Sequence, residues 1–203
     1  LFRSGDPLSP TSLVASDLTP TSAMLSWTPD AGVEFGPVDA TTDQQLQQLA
    51  AAYPDLIKYD SARGMLRFAA DMTFDSGSAI VKDSARSSID ALAKILNSGS
   101  ASGYEVHIVG HTDAQRISAG TSKLHPTNVH LSCHRAISVR DELVKLGTNA
   151  DKIMAAGWGE YRPMVTNGPG GNTPQNRRVE IFLARSTRDA MTASTPVEAA
   201  GSS

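Results

Sequence analysis

The chain has 203 residues, of which 40% are hydrophobic and only 5% aromatic, and its formal net charge is −3. This length suits one domain of ordinary size with extensions. The acidic balance and the scarcity of aromatic residues argue against the basic face and stacking platform of a nucleic-acid-binding protein. We therefore expect no nucleic-acid partner.

The chain carries no sequence signal for a membrane span or for disulfide bonding. Its single cysteine, Cys133, permits no internal disulfide. No apolar run approaches the length of about 18 residues that a membrane-spanning helix needs. The chain begins at Leu1, without Met and without a signal region. We expect a processed or excised piece, in which any membrane association depends on a part not present here.

The two ends of the chain differ in composition from its middle. Residues 1–42 are rich in Ser, Thr, Pro and Gly, which predicts a linker or an irregular collar. Residues 43–64 are predicted to hold a short helix, ended by Pro54, and a connection. Residues 187–203 lack any apolar period and are predicted to be a disordered tail.

Residues 65–186 alternate between strand and helix patterns. In the order strand, helix, strand, helix, strand, strand, these segments are 65–68, 81–96, 104–109, 128–146, 153–157 and 178–183. The order β-α-β-α-β-β predicts an α+β fold in which helices lie over a mixed sheet. Strands separated by a helix should run parallel, whereas the last strand should pair antiparallel.

The junction between the third and fourth of these segments carries the candidate site. The strand from Tyr104 leads into Gly110-His111-Thr112-Asp113, and the following helix carries Asn128 and Arg135 on one face. A carboxylate at a strand end and a guanidinium on the next helix can bind a ligand that has both an ammonium and a carboxylate. On spacing alone, the alternative is a structural salt bridge between Asp113 and Arg135.

Further motifs follow in chain order. They are Gly157-Trp158-Gly159-Glu160, Pro163 and Asn176-Arg177-Arg178-Val179-Glu180-Ile181. Together with the residues from Gly110 to Asp113 and the Asn128 helix, this series resembles the OmpA C-terminal-domain family, whose members include OmpA, the lipoprotein Pal and the stator protein MotB. The resemblance covers about residues 65–185.

This resemblance implies non-covalent binding of peptidoglycan through the diaminopimelate of its stem peptide, without catalysis, cofactor or metal. It also implies a periplasmic or cell-envelope protein, associated with the outer membrane, that tethers an envelope component to the wall. A homodimer or an envelope protein complex would add avidity. The binding residues that it implies are Asp113, Arg135, Asn128, Arg177, Asp75 and Thr112.

The chain departs from the family pattern in two places. The loop 114–126 is longer than usual, so the alternative function is a protein–protein interaction module whose pocket this loop covers. The Gly-Arg pair that precedes the family's Asn-Arg-Arg motif is absent, and residues 171–175 (Gly-Asn-Thr-Pro-Gln) stand there instead.

The histidines of the second helix raise two further alternatives. His130 and His134 have the i, i+4 spacing of zinc ligands, but they project away from the core and lack a His-Glu-x-x-His motif. Cys133 beside these histidines is the candidate nucleophile of a hydrolase, but it lies on the flank of the core stripe. We expect a solvated histidine pair and no enzyme.

Overall fold

The structure is a computed structural model that describes residues 33–186. The predicted tail 187–203, and residues 1–32 of the predicted linker, lie outside these residues. Within the described part, no helix combines the length and the apolar character that crossing a membrane requires.

The described residues form a sheet and the helices that pack on it. The strands are β1 (Val33–Phe35), β2 (Ile57–Asp60), β3 (Met65–Ala69), β4 (Tyr104–His111), β5 (Ile153–Gly159) and β6 (Arg178–Ser186). The α-helices are α1 (Ala40–Ala52), α2 (Ala70–Thr73), α3 (Asp83–Leu96) and α4 (Asn128–Lys145). Single 3-10 turns lie at Gly99–Ala101, Thr121–Lys123, Ala150–Lys152, Pro169–Gly171 and Pro174–Asn176.

The last strand occupies the middle of the sheet. The strand order is β2-β3-β6-β4-β5, and β1 pairs with the end of β6. β4 and β5 are parallel, whereas β6 is antiparallel to both β3 and β4. The predicted α+β fold with a mixed sheet and an antiparallel last strand is confirmed.

The core lies between the sheet and the helices. α3 and α4 bury the apolar stripes predicted from their sequences, including Ile89, Leu92 and Leu143. Side chains of the sheet such as Phe68 and Ile181 meet them in one continuous cluster. This packing holds α4 firmly over the sheet.

Among the strands and α-helices of residues 33–186, three were not predicted: β1, β2 and α2. β2 forms a hairpin with β3, in which Asp60 pairs with Met65. The helix α1 begins at Ala40 because the carboxylate of Asp39 accepts hydrogen bonds from the amides of Thr41 and Thr42, at 3.0 Å each. Regular structure therefore starts inside the segment predicted as a linker, and the boundary between linker and domain stays a prediction.

A pair of glycines lets α4 lie directly on the sheet. Gly110 of β4 is in register with Gly157 of β5. A Cβ atom on Gly110 would lie 2.0 Å from the carbonyl oxygen of Ser132, and one on Gly157 would lie 2.3 Å from Oγ of Ser132. Oγ of Ser132 also accepts a hydrogen bond from the amide of Gly159 at 2.9 Å. This close approach fixes the height of α4 above the end of β4, where the candidate site lies.

Candidate ligand-binding site

A pocket of about 440 Å³ opens beside the end of β4 and the beginning of α4. Five of the residues predicted from the sequence line it, namely Thr112, Asp113, Asn128, Arg135 and Arg177. The remaining lining includes acidic, basic, aromatic and amide side chains, among them Asp71, Phe74, Lys82 and Asn172. The fold therefore gathers residues that are distant in sequence around one cavity.

Arg135 is a buried cation with an unused donor. Its residue surface is only 3% exposed. Nε donates to the carbonyl oxygen of Ser78 at 2.9 Å, Nη2 donates to that of Asp75 at 3.4 Å, and the guanidinium lies 5.1 Å from the ring centroid of Phe74. Nη1 is buried without a hydrogen-bond partner. Buried donors are rarely left unpaired, and this one belongs to a residue that lines the pocket.

The charge of Arg135 is only partly balanced by its surroundings. Burial lowers the pKa of its guanidinium to about 10, although the nearby carboxylates of Asp71 and Asp113 oppose this shift. Arg135 therefore remains charged at neutral pH. Among residues 33–186, no carboxylate forms an ion pair with it. A carboxylate brought by a ligand would complete the balance.

Asp113 is buried and is held by a different arginine. Its Oδ2 accepts hydrogen bonds from Nη1 of Arg177 and, at 2.9 Å, from the amide of Thr173. Its Oδ1 accepts a weaker bond from the amide of Gln115 at 3.2 Å. The salt bridge considered between Asp113 and Arg135 is thus not formed, and Oδ1 keeps acceptor capacity.

Arg177 binds two acidic side chains at once. Its Nε donates to Oδ1 of Asp71 at 2.8 Å, and its Nη2 donates to Oδ2 of the same carboxylate. Its Nη1 is shared between Asp113 and the amide oxygen of Asn172, which lies 2.7 Å away. The hydrogen bonds that Arg177 donates to Asp71 and Asp113 raise its pKa against the effect of its burial. Most donors of Arg177 are therefore committed within the protein.

Asn128 and Thr112 also line the pocket. Asn128 is the first residue of α4, and its Nδ2 donates to the carbonyl oxygen of Gln115 at 3.1 Å. The amide of Thr112 donates to the carbonyl oxygen of Gly159 at 2.9 Å, which ties it to the end of β5. The Thr112 hydroxyl is buried without a hydrogen-bond partner, and it has both a donor and an acceptor function.

Asp75 is placed differently from the other predicted site residues. Its side chain is 80% exposed and pairs with Nζ of Lys82 at 3.3 Å. It is not among the described residues that line the pocket, and only its carbonyl oxygen reaches Arg135. Asp71 of α2 lies in the pocket instead. Sequence reasoning missed Asp71 because its segment carried no predicted element or motif.

Residues 171–175, which depart from the family pattern, also contribute to the site. Asn172 and Thr173 supply an amide oxygen to Arg177 and an amide N–H to Asp113. The departure noted in the sequence was the only signal that pointed to this stretch.

The loop 114–126 forms a wall of the pocket and leaves the cavity open. The loop residues that line it are Gln115, Arg116, Ile117, Ser118 and Thr121. The loop is therefore part of the site, and it does not fill the space that a ligand would occupy.

His130 and His134, which were considered as a pair of zinc ligands, each contact a different residue. Nδ1 of His134 lies 2.6 Å from Nδ1 of His125, whereas Nδ1 of His130 lies 2.8 Å from the hydroxyl of Thr127. Within residues 33–186, no group of three or more His, Cys, Asp or Glu side chains is arranged to hold a metal ion. Cys133 contacts the carbonyl oxygen of Gly157, with Sγ 4.0 Å away.

The chain is similar in sequence to proteins of the bacterial envelope. It is 34% identical over 114 residues to the probable lipoprotein YiaD of Escherichia coli, covering 56% of this chain and 48% of that protein. It is also 34% identical over 119 residues to outer membrane porin F of Pseudomonas fluorescens, covering 59% of this chain and 34% of the porin. The chain thus spans about half or less of these relatives. The relatives confirm the predicted cell-envelope localisation.

Solved structures share the fold. A MotB-like protein of Desulfovibrio vulgaris aligns with a TM-score of 0.64 and 23% identity, over 71% of this chain and 92% of that one. The cell wall anchor of the T6SS of Pseudomonas aeruginosa aligns with a TM-score of 0.57 and 26% identity, over 69% of this chain and 96% of that one. The model of the OmpA family matches residues 73–177, which is about half of the chain. The chain belongs to the OmpA family.

Proposed function

We propose that this domain binds peptidoglycan non-covalently through the diaminopimelate of the stem peptide and so ties an envelope component to the cell wall. The observation that carries the proposal is the buried guanidinium of Arg135, which lines an open pocket with its Nη1 unpaired. If Arg135 only stabilised the fold, we would expect it to have an acidic partner within the protein, because an unpaired buried charge is destabilising.

The pocket presents opposite charges that suit the free end of diaminopimelate. That end carries an ammonium and a carboxylate on one carbon atom. Arg135 can receive the carboxylate through its unused donor, and the hydroxyl of Thr112 can add a hydrogen bond. The ammonium can be received by the carboxylates of Asp113 and Asp71, which face the same cavity. A ligand with only one of the two charges would leave part of this set unpaired.

The expected affinity for one stem peptide is modest. A charge-assisted hydrogen bond contributes roughly 1.5–3 kcal/mol. The sum of a few such bonds is reduced by an association cost of at least about 4 kcal/mol. A dissociation constant in the micromolar to millimolar range follows. The cell wall repeats its ligand many times, so several domains in one assembly would hold it through avidity.

Membership of the OmpA family supports this role, as does the likeness to a protein described as a cell wall anchor. The alternative, an interaction module with a covered pocket, has no support from the geometry because the loop 114–126 leaves the pocket open. A binding role without catalysis also suits a site built from ion pairs and hydrogen-bond donors.

Two stem tripeptides that differ in a single group provide the test. Binding of Ala-Glu-diaminopimelate and of Ala-Glu-Lys is measured by calorimetry; the lysine peptide lacks only the second carboxylate. We expect wild-type protein to bind the first peptide at least about tenfold more tightly, because only that peptide supplies a carboxylate to Arg135. Equal binding of the two peptides would refute the assignment.

Protein variants complete the test in a pull-down with purified sacculi. Arg135→Lys keeps the charge but loses the planar fork, and Asp113→Ala removes a candidate ammonium acceptor. Both should reduce the bound fraction. Arg86→Ala is the matched control, since Arg86 is half exposed and pairs with Asp83 and Glu142 rather than lining the pocket. Wild-type retention in both pocket variants would exclude the proposed contacts.

A further inference from the structure

The loop 114–126 is attached to the rest of the domain at a few defined points. At its beginning, the carbonyl oxygen of Gln115 accepts a hydrogen bond from Asn128. In its middle, Thr121 lies against Gly77, where a Cβ atom would come within 2.3 Å of the Thr121 hydroxyl. At its end, His125 contacts His134 of α4. The end of this pocket wall is therefore joined to α4 by the contact between the two histidines.

The contact between His125 and His134 has a proton requirement. Their Nδ1 atoms are 2.6 Å apart and their ring centroids 4.9 Å apart. One Nδ1 must carry a hydrogen and donate it, and the other must be bare and accept it. If both rings are protonated, both Nδ1 atoms are donors and both rings are positive. The contact is then lost and replaced by repulsion.

The surroundings of His125 oppose its protonation. It is 8% exposed, and burial lowers the pKa of its imidazole, with His134, Arg135 and His130 of α4 acting in the same direction. On the loop itself, the exposed basic residue Lys123 lies two positions before His125 in the chain. Among residues 33–186, no carboxylate forms an ion pair with His125 to counter these charges.

We propose that the hydrogen bond between His125 and His134 is a pH-dependent clasp that fixes the loop 114–126 as a wall of the pocket and releases it when both rings are protonated. Its effect on ligand binding rests on the proposed function, but the movement of the loop does not. The closed state is favoured above the ordinary pKa of histidine, about 6.5. As the pH falls below that value, the released histidine gains a proton that the closed pair excludes, so the open state gains population.

Nuclear magnetic resonance on the whole chain tests the clasp without any ligand. Ring nitrogen signals of the histidines and amide signals of residues 114–126 are followed from about pH 7.5 to about pH 5, with a chelator present to exclude a bridging metal ion. We expect the ring of His125 to gain its proton below the ordinary histidine pKa of about 6.5, and the loop amides to shift together with it. Loop signals that stay constant over this range would overturn the proposal.

Two variants separate the clasp from general effects of acid. In His134→Asn, an amide replaces the ring near the Nδ1 position and cannot become charged, so the loop should stay closed at about pH 5. In the control His130→Gln, the clasp is intact and the loop should open as in wild type. If His134→Asn does not fold, the reciprocal His125→Asn variant is used. An acid-induced change of equal size in wild type and in the Asn variant would overturn the proposal.

A binding measurement then connects the clasp to the pocket. Wild-type affinity for the diaminopimelate tripeptide should fall about tenfold between the two pH values, whereas that of His134→Asn should change less. Failure of both proteins to bind the peptide at about pH 7.5 would refute the proposed function and leave the loop measurement to decide on the clasp. Equal loss of affinity in both would overturn the clasp as a control of binding.

Discussion

The carboxylate of Asp113 is bound by Arg177, whose Nη1 lies 2.5 Å from its Oδ2. This pairing leaves Arg135, which lines the same pocket, without an acidic partner. One arginine thus pairs with the acidic side chains of the site, while the other has no acidic partner among residues 33–186. The two arginines have different roles, and substitutions should separate them.

Substitution of Arg135 by methionine should preserve stability and abolish binding. Methionine has a similar length and removes a buried charge that has no ion-pair partner. We expect the free energy of unfolding in urea to stay within about 1 kcal/mol of wild type or to rise. In the sacculus pull-down, the same variant should lose binding. A loss of several kcal/mol would instead assign Arg135 a mainly structural role.

Substitution of Arg177 by alanine should destabilise the domain. It removes the hydrogen bonds to Asp71 and leaves the buried carboxylate of Asp113 without its charged partner. We expect the free energy of unfolding to fall by about 2 kcal/mol. Arg63→Ala is the control, because Arg63 is 68% exposed and makes only a surface contact with Asp60. That variant should change stability by less than about 0.5 kcal/mol, and equal effects would contradict the prediction.

Substitution of Gly110 by alanine should disturb the packing of α4 on the sheet. The new methyl group would lie 2.0 Å from the backbone oxygen of Ser132, which cannot move without the helix. We expect a loss of about 1–3 kcal/mol in the free energy of unfolding, together with weaker wall binding. Gly103→Ala tests the same change where nothing lies within 4 Å of the new atom. Comparable losses at both positions would refute the close-packing argument.

Glu180 should make stability depend on pH in the acid range. Burial by itself would raise the pKa of this carboxyl, but His111 and Arg178 beside it lower the value to about 2. A lowered pKa in the folded state stabilises the protein above the ordinary carboxyl pKa, and this stabilisation disappears as the pH falls through about 2. Its size is about 3 kcal/mol, from about 1.4 kcal/mol per pKa unit.

Urea unfolding of wild type and Glu180→Gln at a series of pH values measures this contribution. The difference between the two proteins should shrink as the pH decreases from about 5 toward about 2. Glu34→Gln makes the same substitution at an exposed position and is measured beside it for comparison. A constant difference for Glu180→Gln would contradict the assignment.

The sequence was most informative where a hydrophobic period persisted over many residues. The stripes of α3 and α4 and the alternation in β4 and β6 correctly predicted these elements, because burial on one face imposes a period. β1 and β2 were missed because they are only 3 and 4 residues long. Such short strands depend on pairing with β6 and β3, and that pairing is not visible in a local pattern.

For the candidate site as well, some features were predicted from the sequence and others were not. The resemblance to a family placed Asp113, Asn128 and Arg135 in one pocket, and the structure brings them together. It did not indicate that Arg177 would pair with Asp71, since those residues are 106 positions apart. The partner of a charged side chain is decided by the tertiary fold, so sequence spacing alone could not choose between the two arginines.

The position of β6 has a consequence for how the chain becomes folded. β3 and β4 are joined only through this strand, which is the last one of the described chain. While a nascent chain emerges from a ribosome or an export channel, its sheet has a gap at the centre until Ser186 is free. Before that moment, β3 and β4 each expose an unpaired edge. Completion of the sheet therefore requires its last strand, and a chain that stops short of residue 178 lacks the strand that pairs with both β3 and β4.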